Sequence, residues 1–204
     1  MSDPRLSRLA ALGAATVHEA QARTGALDPA IRPVWSSPAI AAPAFTVRCA
    51  PGDNLAVHRA LEAASEGDLL LVQAEGDLAG CWGELTTVAA QVRGIVGLVI
   101  DGGVRDAQAI EDRGFPIWSR GIAIRGTVKA DPGSSGEPIT IGGVAARTGD
   151  IVIADRDGVV VVPVASLDAA LAAAEAREAK ERAILERIEA GELTLDLLDL
   201  RGRD

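Results

Sequence analysis

Two adjacent residues, Arg105 and Asp106, carry the side chains best suited to chemistry in this sequence. They follow an apolar run and a pair of glycines, and twenty residues (85 to 104) separate Arg105 from Glu84. An arginine presents a planar, permanently charged fork to a carboxylate or to an oxygen that gains negative charge. A single aspartate can hold Mg²⁺, since waters often complete the shell of this ion, and Glu84 could contribute through a water. The spacing therefore predicts a metal-assisted site at these three residues.

The same residues have structural interpretations that the sequence by itself leaves open. Asp106 precedes a predicted helix, and aspartate is among the preferred N-cap residues. Arg105 could make an ordinary surface ion pair. The Asp-Gly-Gly at 101–103 resembles a phosphate-binding turn after the strand, but the dinucleotide fingerprint GxGxxG is absent from the sequence.

Histidine and cysteine offer weaker candidates. His18 and His58 lie in separate predicted helices without metal-ligand spacing, which favours packing or surface roles. Cys49 and Cys81 are too few for a disulfide framework and too far apart for a CxxC motif, so we expect two buried thiols. The sequence has no GxSxG elbow or Cys/His pair that would indicate covalent catalysis.

Composition limits the classes of protein to consider. With 204 residues and 48% hydrophobic content, the chain predicts a single domain over 1–204. The 20 basic and 29 acidic residues give a net charge of −9, which disfavours binding to nucleic acid or to an anionic membrane. Arg5 and Arg8 precede a mildly apolar run, but that run passes directly into a helical pattern, unlike a signal peptide. We expect a cytoplasmic protein.

Hydrophobic periodicity divides the chain into N-terminal helices within 1–25, an α/β core over 26–165 and a C-terminal helix over 166–190. The core is predicted to contain strand 44–49, helix 55–64, strand 69–73, helix 83–92, strand 94–100, helix 107–113, and strands 115–119, 122–128, 139–141, 150–154 and 159–163. Alternation followed by closely spaced strands favours a mixed α/β domain whose sheets pack on each other and on helices.

The C-terminal helix allows two buried stripes. One is Leu167, Leu171, Ala174, Glu178, Glu181, Leu185 and Ile188, and the other is Ala172, Ala176, Ala179 and Ala183. The first stripe would place two carboxylates on an otherwise apolar face. The second would leave both glutamates in solvent, and the helical period does not decide between them.

Several segments together resemble the RraA-like family, which includes class II 4-hydroxy-4-methyl-2-oxoglutarate / 4-carboxy-4-hydroxy-2-oxoadipate aldolases and the regulators of ribonuclease activity A. The segments are Pro51-Gly52-Asp53-Asn54, Gly83-Glu84-Leu85, Val99 to Asp106, Gly114-Phe115-Pro116-Ile117, Gly126-Thr127-Val128, Ile141-Gly142-Gly143-Val144 and 149–163. The resemblance extends from about Ala15 to Leu198. It implies a swivelling β/β/α fold that assembles as a homotrimer or a dimer of trimers, with sites between subunits.

The resemblance also implies residue roles. Asp106 would bind Mg²⁺ or Mn²⁺, and Arg105 would contact the pyruvyl oxygen and stabilise an enolate. Glu84 falls on the acidic position that acts on the metal through a water. The backbone amides of Leu85 and Thr86 would face the substrate carboxylate, and Gly83 and Arg105 would also bind the substrate. These roles predict a lyase that acts on oxaloacetate or on a 4-hydroxy-2-oxo diacid.

Two departures from the family pattern concern aldolase activity. The usual acidic residue is Asp, and Glu84 is longer by a methylene. An acidic residue that follows the Arg-Asp pair in the aldolases is replaced here by Ala109. The aldolases draw another carboxylate from a neighbouring subunit's C-terminal helix, for which Glu181 or Glu178 is the candidate. The alternative function is a non-catalytic regulator that binds ribonuclease E or another protein.

Overall fold

The computed structural model describes residues 3–202, so the ends of the predicted domain, residues 1–2 and 203–204, lie outside the described residues. The helices of this range are α1 Pro4–Leu12, α2 Ala14–Ala20, α3 Leu55–Ala63, α4 Glu84–Val92, α5 Ala107–Asp112, α6 Leu167–Glu189 and α7 Thr194–Leu197. The strands are β1 Arg32–Pro33, β2 Ile40–Arg48, β3 Leu69–Gln73, β4 Gly80–Trp82, β5 Gly97–Val104, β6 Ile117–Ile122, β7 Ser134–Ser135, β8 Ile139–Ile141, β9 Val144–Ala146, β10 Ile151–Ala154 and β11 Val159–Val162.

Most of the strands form one large sheet in the order β1-β6-β5-β3-β2-β10-β11, with β4 beside β5 and β7 beside β2. Strands β2, β3, β5 and β6 run parallel, and β10 pairs antiparallel to β2. Every residue of β5 is buried, as expected for a parallel strand covered on both faces. The carboxyl ends of the parallel strands therefore meet at one edge of the sheet, where ligands commonly bind in α/β proteins.

Three apolar clusters hold the layers together. The first includes residues of α3 and α4 against the parallel strands, and in it Trp82 stacks on Phe115 with ring centroids 5.9 Å apart. The second contains Trp118 and residues of the β8–β9 hairpin, which form a separate small sheet. The third joins α1, α2 and α6 to β10 and β11. The predicted mixed α/β fold, with a long C-terminal helix, is confirmed.

The structure corrects the predicted strands at two places. The predicted glycine turn at 101–103 is wrong, because β5 continues through it to Val104. A Cβ on Gly103 would lie 2.7 Å from the Ala79 carbonyl oxygen, so these glycines permit close approach of two backbones rather than a turn. The predicted strand 122–128 is also wrong, since β6 ends at Ile122 and only an isolated bridge joins Val128 to Asp53.

Helix α6 buries the first of the two predicted stripes. Leu167 and Ala174 are buried, Glu178 and Glu181 lie at its partly covered flank, and the alternative alanine stripe is exposed. Beyond that point the helix leaves the body of the protein, because Leu185 and Ile188 are exposed. Within residues 3–202, each helix is too short or too polar to cross a membrane.

Candidate active site

Asp106 lies between β5 and α5 with a backbone that non-glycine residues seldom adopt. Its φ and ψ are 57° and 35°, the left-handed region, which aspartate tolerates better than most residues. The residue occupies the N-cap position of α5, but its side chain makes no capping bond there. Instead, Oδ2 accepts a hydrogen bond from the Glu84 backbone N–H at 3.0 Å. The side-chain cap interpretation is therefore wrong, and the carboxylate faces the first turn of α4.

Gly83 makes this approach possible. A Cβ on Gly83 would lie 2.5 Å from Asp106 Oδ2 and 3.1 Å from Arg105 Cγ. Thr86 Oγ1 donates to the Gly83 carbonyl and accepts from the Gly83 N–H, which fixes the start of α4. The N–H groups of Leu85 and Thr86 belong to the first turn, where a helix provides them with no carbonyl partner. This turn can thus offer two amide donors beside Asp106.

Arg105 is held by its backbone and leaves its guanidinium available. Its N–H donates to the Trp82 carbonyl oxygen at 2.8 Å, which continues the pairing of β4 with β5. Its Nε lies 3.8 Å from Asp106 Oδ2, longer than a hydrogen bond, and its side chain is 45% exposed. The guanidinium can therefore bind an anion without first giving up a tight ion pair.

A cleft of about 90 Å³ brings these groups together. Its lining consists of Asn54, His58, Gly80, Cys81, Gly83, Leu85, Thr86, Arg105, Asp106 and Lys129. A larger groove of about 510 Å³ lies between α1 and the start of β2, but its lining is mostly apolar and contains none of these residues. We assign the site to the smaller cleft, because there a free guanidinium, a carboxylate and open amides converge.

Asn54, His58 and Lys129 are cleft residues that the sequence did not reveal. Asn54 lies beside the first residue of α3, and its Nδ2 donates to the Cys81 carbonyl oxygen at 2.9 Å. Its Oδ1 is buried without a hydrogen-bond partner. His58 was assigned a packing or surface role, yet it lines the cleft one turn along α3. The sequence signals were that Asn54 belongs to one of the segments that resemble the family, and that His58 follows it by four residues within the predicted helix.

Asp53 positions Lys129 from a distant part of the chain. One carboxylate oxygen accepts from the N–H groups of Ala130 and Asp131 at 2.6 and 2.8 Å, and the other accepts from Leu55 N at 2.8 Å. These backbone donors, that of Asp131 first, hold the pKa of Asp53 below its ordinary value. Asp53 thus binds the first residue of α3 and also fixes the segment that carries Lys129.

Two groups of the cleft are kept uncharged. Desolvation, followed by the nearby Lys129 charge, lowers the pKa of His58 below its ordinary value. Burial raises the pKa of the Cys81 thiol to about 11, and that of Cys49 to about 12. Both cysteines are buried and free, as predicted. Their protonated thiols are unsuited to nucleophilic chemistry.

The backbone N–H of Glu84 lies beside Asp106, but the Glu84 carboxylate points to Arg113 instead. Oε1 of Glu84 accepts hydrogen bonds from Nη2 and Nε of Arg113 at 2.7 and 3.1 Å. Glu84 is absent from the cleft lining, although Gly83 and Leu85 on either side of it are present. Ala109, Glu111 and Asp112 lie farther along α5, also outside this lining.

Glu178 and Glu181, the α6 carboxylates predicted to act in a neighbouring subunit's site, form ion pairs within their own chain. Glu178 Oε2 lies 2.7 Å from Arg8 Nη2 of α1 and 3.4 Å from Arg182 Nη2. Glu181 Oε1 lies 2.7 Å from Nη2 of Arg177, four residues earlier on the same helix. Glu178 therefore ties α6 to α1, whereas Glu181 is bound only by its own helix.

The cleft can hold a hard divalent ion only if waters and substrate oxygens supply most of the ligands. Among residues 3–202, no three His, Cys, Asp or Glu side chains form a closed metal-binding group. The Asp106 side chain is half exposed, and its Oδ2 accepts a hydrogen bond from the Glu84 N–H. Its Oδ1 takes no part in that hydrogen bond. One carboxylate, with waters and substrate oxygens, matches the way that Mg²⁺ is often bound.

Comparisons with known proteins agree with this fold. The family RraA-like, described as Aldolase/RraA, matches residues 14–161. A relative from Halalkalibacterium halodurans, provisionally named a 4-hydroxy-4-methyl-2-oxoglutarate aldolase, is 38% identical over 167 residues, covering 79% of this chain and 80% of its own.

Two crystal structures are similar over nearly the whole chain. An uncharacterized protein from Pseudomonas syringae pv. tomato has a TM-score of 0.83 at 28% identity, covering 95% of this chain and 92% of its own. Streptomyces coelicolor RraAS2, described as an unusual member of the RNase ES inhibitor RraA protein family, has a TM-score of 0.82 at 30% identity. That match covers 91% of this chain and 98% of the other.

Proposed function

This chain belongs to the RraA-like family, and we propose that it is a lyase that cleaves a C–C bond in a pyruvate-yielding 2-oxo diacid with the help of Mg²⁺ or Mn²⁺. The candidate substrates are oxaloacetate, 4-hydroxy-4-methyl-2-oxoglutarate and 4-carboxy-4-hydroxy-2-oxoadipate. One observation carries the proposal. Asp106, in a left-handed backbone conformation, presents an incompletely paired carboxylate beside the free guanidinium of Arg105 and the open first turn of α4.

Five residues of the cleft have a part in the proposed C–C bond cleavage. The amides of Leu85 and Thr86 bind the carboxylate next to the keto group, as helix N-termini bind anions. Arg105 donates to the keto oxygen and stabilises the negative charge that develops there when the C–C bond breaks. Asp106 would hold the divalent ion, which supplies Lewis-acid stabilisation of the same charge. Gly83 lets the Asp106 carboxylate approach the start of α4, because a side chain there would strike Asp106.

The second carboxylate of a diacid has a possible partner in the same cleft. Lys129 adds a second cation to the cleft, and His58 and Asn54 lie beside it on α3. The unpaired Oδ1 of Asn54 can accept a hydrogen bond that the protein itself does not provide, such as one from a substrate hydroxyl. A site with cations on both sides favours a doubly charged substrate over a monoacid.

Self-association is part of the proposal. Leu85, which lines the cleft, is exposed in the single chain. Other exposed apolar side chains lie on segments that adjoin lining residues in the chain or bond to them, namely Leu78, Ile122, Ile124 and Val128. Exposed apolar groups grouped in this way are typical of protein interfaces. They support a homotrimer or hexamer in which a neighbouring copy closes the cleft. Glu181, which its own chain binds only through Arg177, is the better candidate to reach a neighbour's ion.

A coupled assay tests the proposal. Pyruvate release from oxaloacetate and from both hydroxy-oxo diacids is followed with lactate dehydrogenase, first with Mg²⁺ and then with EDTA. Turnover that EDTA abolishes is the expected result for at least one substrate. A protein that releases no pyruvate above the metal-only background from any of them would not be this lyase.

A second candidate function, of a different class, is a non-catalytic regulator that binds ribonuclease E or another protein. The exposed apolar rim of the cleft and the likeness to the Streptomyces coelicolor protein favour it. Titration of a labelled ribonuclease E regulatory segment would separate the two, since the lyase needs Asp106 and a docking surface does not. Binding that Asp106→Asn leaves intact, in a protein without turnover, would support the regulator.

A further inference from the structure

Arg113 holds a carboxylate that the sequence places in the cleft. It lies at the C-terminal end of α5, and its guanidinium binds Oε1 of Glu84 through Nη2 and Nε at 2.7 and 3.1 Å. Its carbonyl oxygen accepts from Nε2 of Gln91 at 3.0 Å. Glu84 begins α4 and Gln91 lies in its last turn, so α4 contacts Arg113 from both of its ends. The Arg113 backbone is therefore held at one end of α4 while its guanidinium binds Glu84 at the other.

The position of Glu84 changes the charges of the cleft. Its N–H donates to Asp106, but its carboxylate lies with Arg113, outside the lining that its neighbours Gly83 and Leu85 form. Asp106 is consequently the single carboxylate among the lining residues that the structure describes. A cleft with one carboxylate can hold a hard ion, but it has no second carboxylate to take a proton, and the neutral base that remains in its lining is His58.

We infer that Arg113 determines which reaction this cleft favours. By pairing with Glu84 outside the cleft, it withholds a base, so that decarboxylation is favoured over retro-aldol cleavage. This inference rests on the proposed lyase function. In this role Arg113 is a positioning residue, since it acts through Glu84 and does not line the cleft.

The two reactions differ in their need for a base. In decarboxylation, the bond to the distal carboxylate breaks, CO₂ leaves, and the electron pair forms the enolate that a proton converts to pyruvate. In retro-aldol cleavage, the substrate hydroxyl first gives its proton to a base, its carbon becomes a carbonyl, and the C–C electron pair forms the same enolate. Only the second reaction gains from a carboxylate such as Glu84 within the cleft.

Substitution of Arg113 can release Glu84 without burying a charge, because the two side chains are 39% and 43% exposed. In Arg113→Met, we expect the ratio of retro-aldol to decarboxylation rates to rise about tenfold or more, since a positioned base contributes about a hundredfold. Arg113→Lys keeps the charge and should keep the wild-type ratio. The double variant Arg113→Met/Glu84→Gln should return to it. An unchanged ratio in Arg113→Met, or a rise that survives Glu84→Gln, would overturn the inference.

Mn²⁺ binding gives a readout that does not require turnover. Calorimetric titration should show about threefold or more tighter binding in Arg113→Met than in the wild type, because a second carboxylate becomes available, and Glu84→Gln should abolish the gain. Equal affinity in wild type and Arg113→Met would contradict the role of Arg113. A wild-type protein without pyruvate release would instead refute the proposed function, while the Mn²⁺ comparison would still decide the role of Arg113.

Discussion

The carboxylates of the cleft and those of α6 have opposite surroundings. Glu178 meets Arg8 at 2.7 Å and Arg182 at 3.4 Å, so its charge is matched within the chain. Asp106 receives one backbone N–H, and the nearest guanidinium nitrogen, on Arg105, is 3.8 Å away. Paired carboxylates hold elements together, whereas an incompletely paired one keeps binding capacity for something that is not part of the chain. The contrast supports Asp106 as the candidate site without any appeal to cavity size.

The largest expected effect comes from removing the charge of Asp106. Asparagine also tolerates the left-handed backbone, so Asp106→Asn should fold normally and keep its melting temperature. Loss of the ion-binding oxygen should reduce turnover about 10³-fold, since several kcal/mol of charge stabilisation are lost. Steady-state kinetics and thermal unfolding check both parts. Asp112→Asn, the same change at the far end of α5, is the matched control and should leave turnover unchanged.

Glu181 and Glu178 offer a comparison within α6 itself. If Glu181 reaches a neighbour's ion, Glu181→Gln should reduce turnover about 10-fold or more, as with other groups that tune a bound metal. Glu178→Gln should instead lower the melting temperature slightly, because it weakens one of the ion pairs that join α6 to α1, and leave turnover intact. If Glu178→Gln instead reduced turnover and Glu181→Gln lowered the melting temperature, the roles proposed for the two glutamates would have to be exchanged.

Lys129 tests whether the far wall of the cleft recognises a second carboxylate. Lys129→Met should raise the KM for a diacid about tenfold, the value of one charge-assisted hydrogen bond, with little change in kcat. Lys180→Met, an exposed lysine of α6, is the control. A KM that stays the same for diacids would remove Lys129 from the site.

The smallest expected effect is the pH dependence that His58 gives to stability. Burial lowers its folded pKa below the ordinary 6.5, so the unfolded chain takes up the proton first as the pH falls. The fold should therefore lose stability as the pH falls below about 6.5, and His58→Gln should lack this part of the loss. Melting temperatures between about pH 7.5 and about pH 5 would show a difference of roughly one degree, since the ring is partly solvated. Parallel curves for the two proteins would contradict it.

The sequence predicted those parts of the fold that depend on neighbouring residues. Strand β3 has the bounds expected from its apolar run, and α6 begins and ends within a residue of the prediction, since each depends on local periodicity. Gly102 and Gly103 were assigned to a turn because an isolated glycine pair resembles one. Their actual constraint is the backbone of residues 77 to 79, which no local pattern reveals.

The site was predictable only where its residues are close together in the chain. Arg105 and Asp106 were identified from their order after a buried strand and from the family resemblance, and both line the cleft. Lys129 and His58 were missed because they reach the cleft through tertiary contacts. The pairing of Glu84 with Arg113 joins residues 29 positions apart, and nothing in either local sequence indicates it. The roles of these residues stay predictions until the variants are measured.

The hydrogen bonds that Asp53 accepts from Ala130 and Asp131 have a consequence for how the protein folds. Its Oδ2 connects to Ala130 N across 77 residues, so one wall of the cleft exists only after most of the parallel sheet has formed between them. Contacts that close such long loops lose chain entropy before they return any stability, and they tend to form late. We therefore expect the strands to assemble before Lys129 joins Arg105 in the cleft. Folding intermediates of this chain should already contain a sheet and yet be unable to bind their ligand.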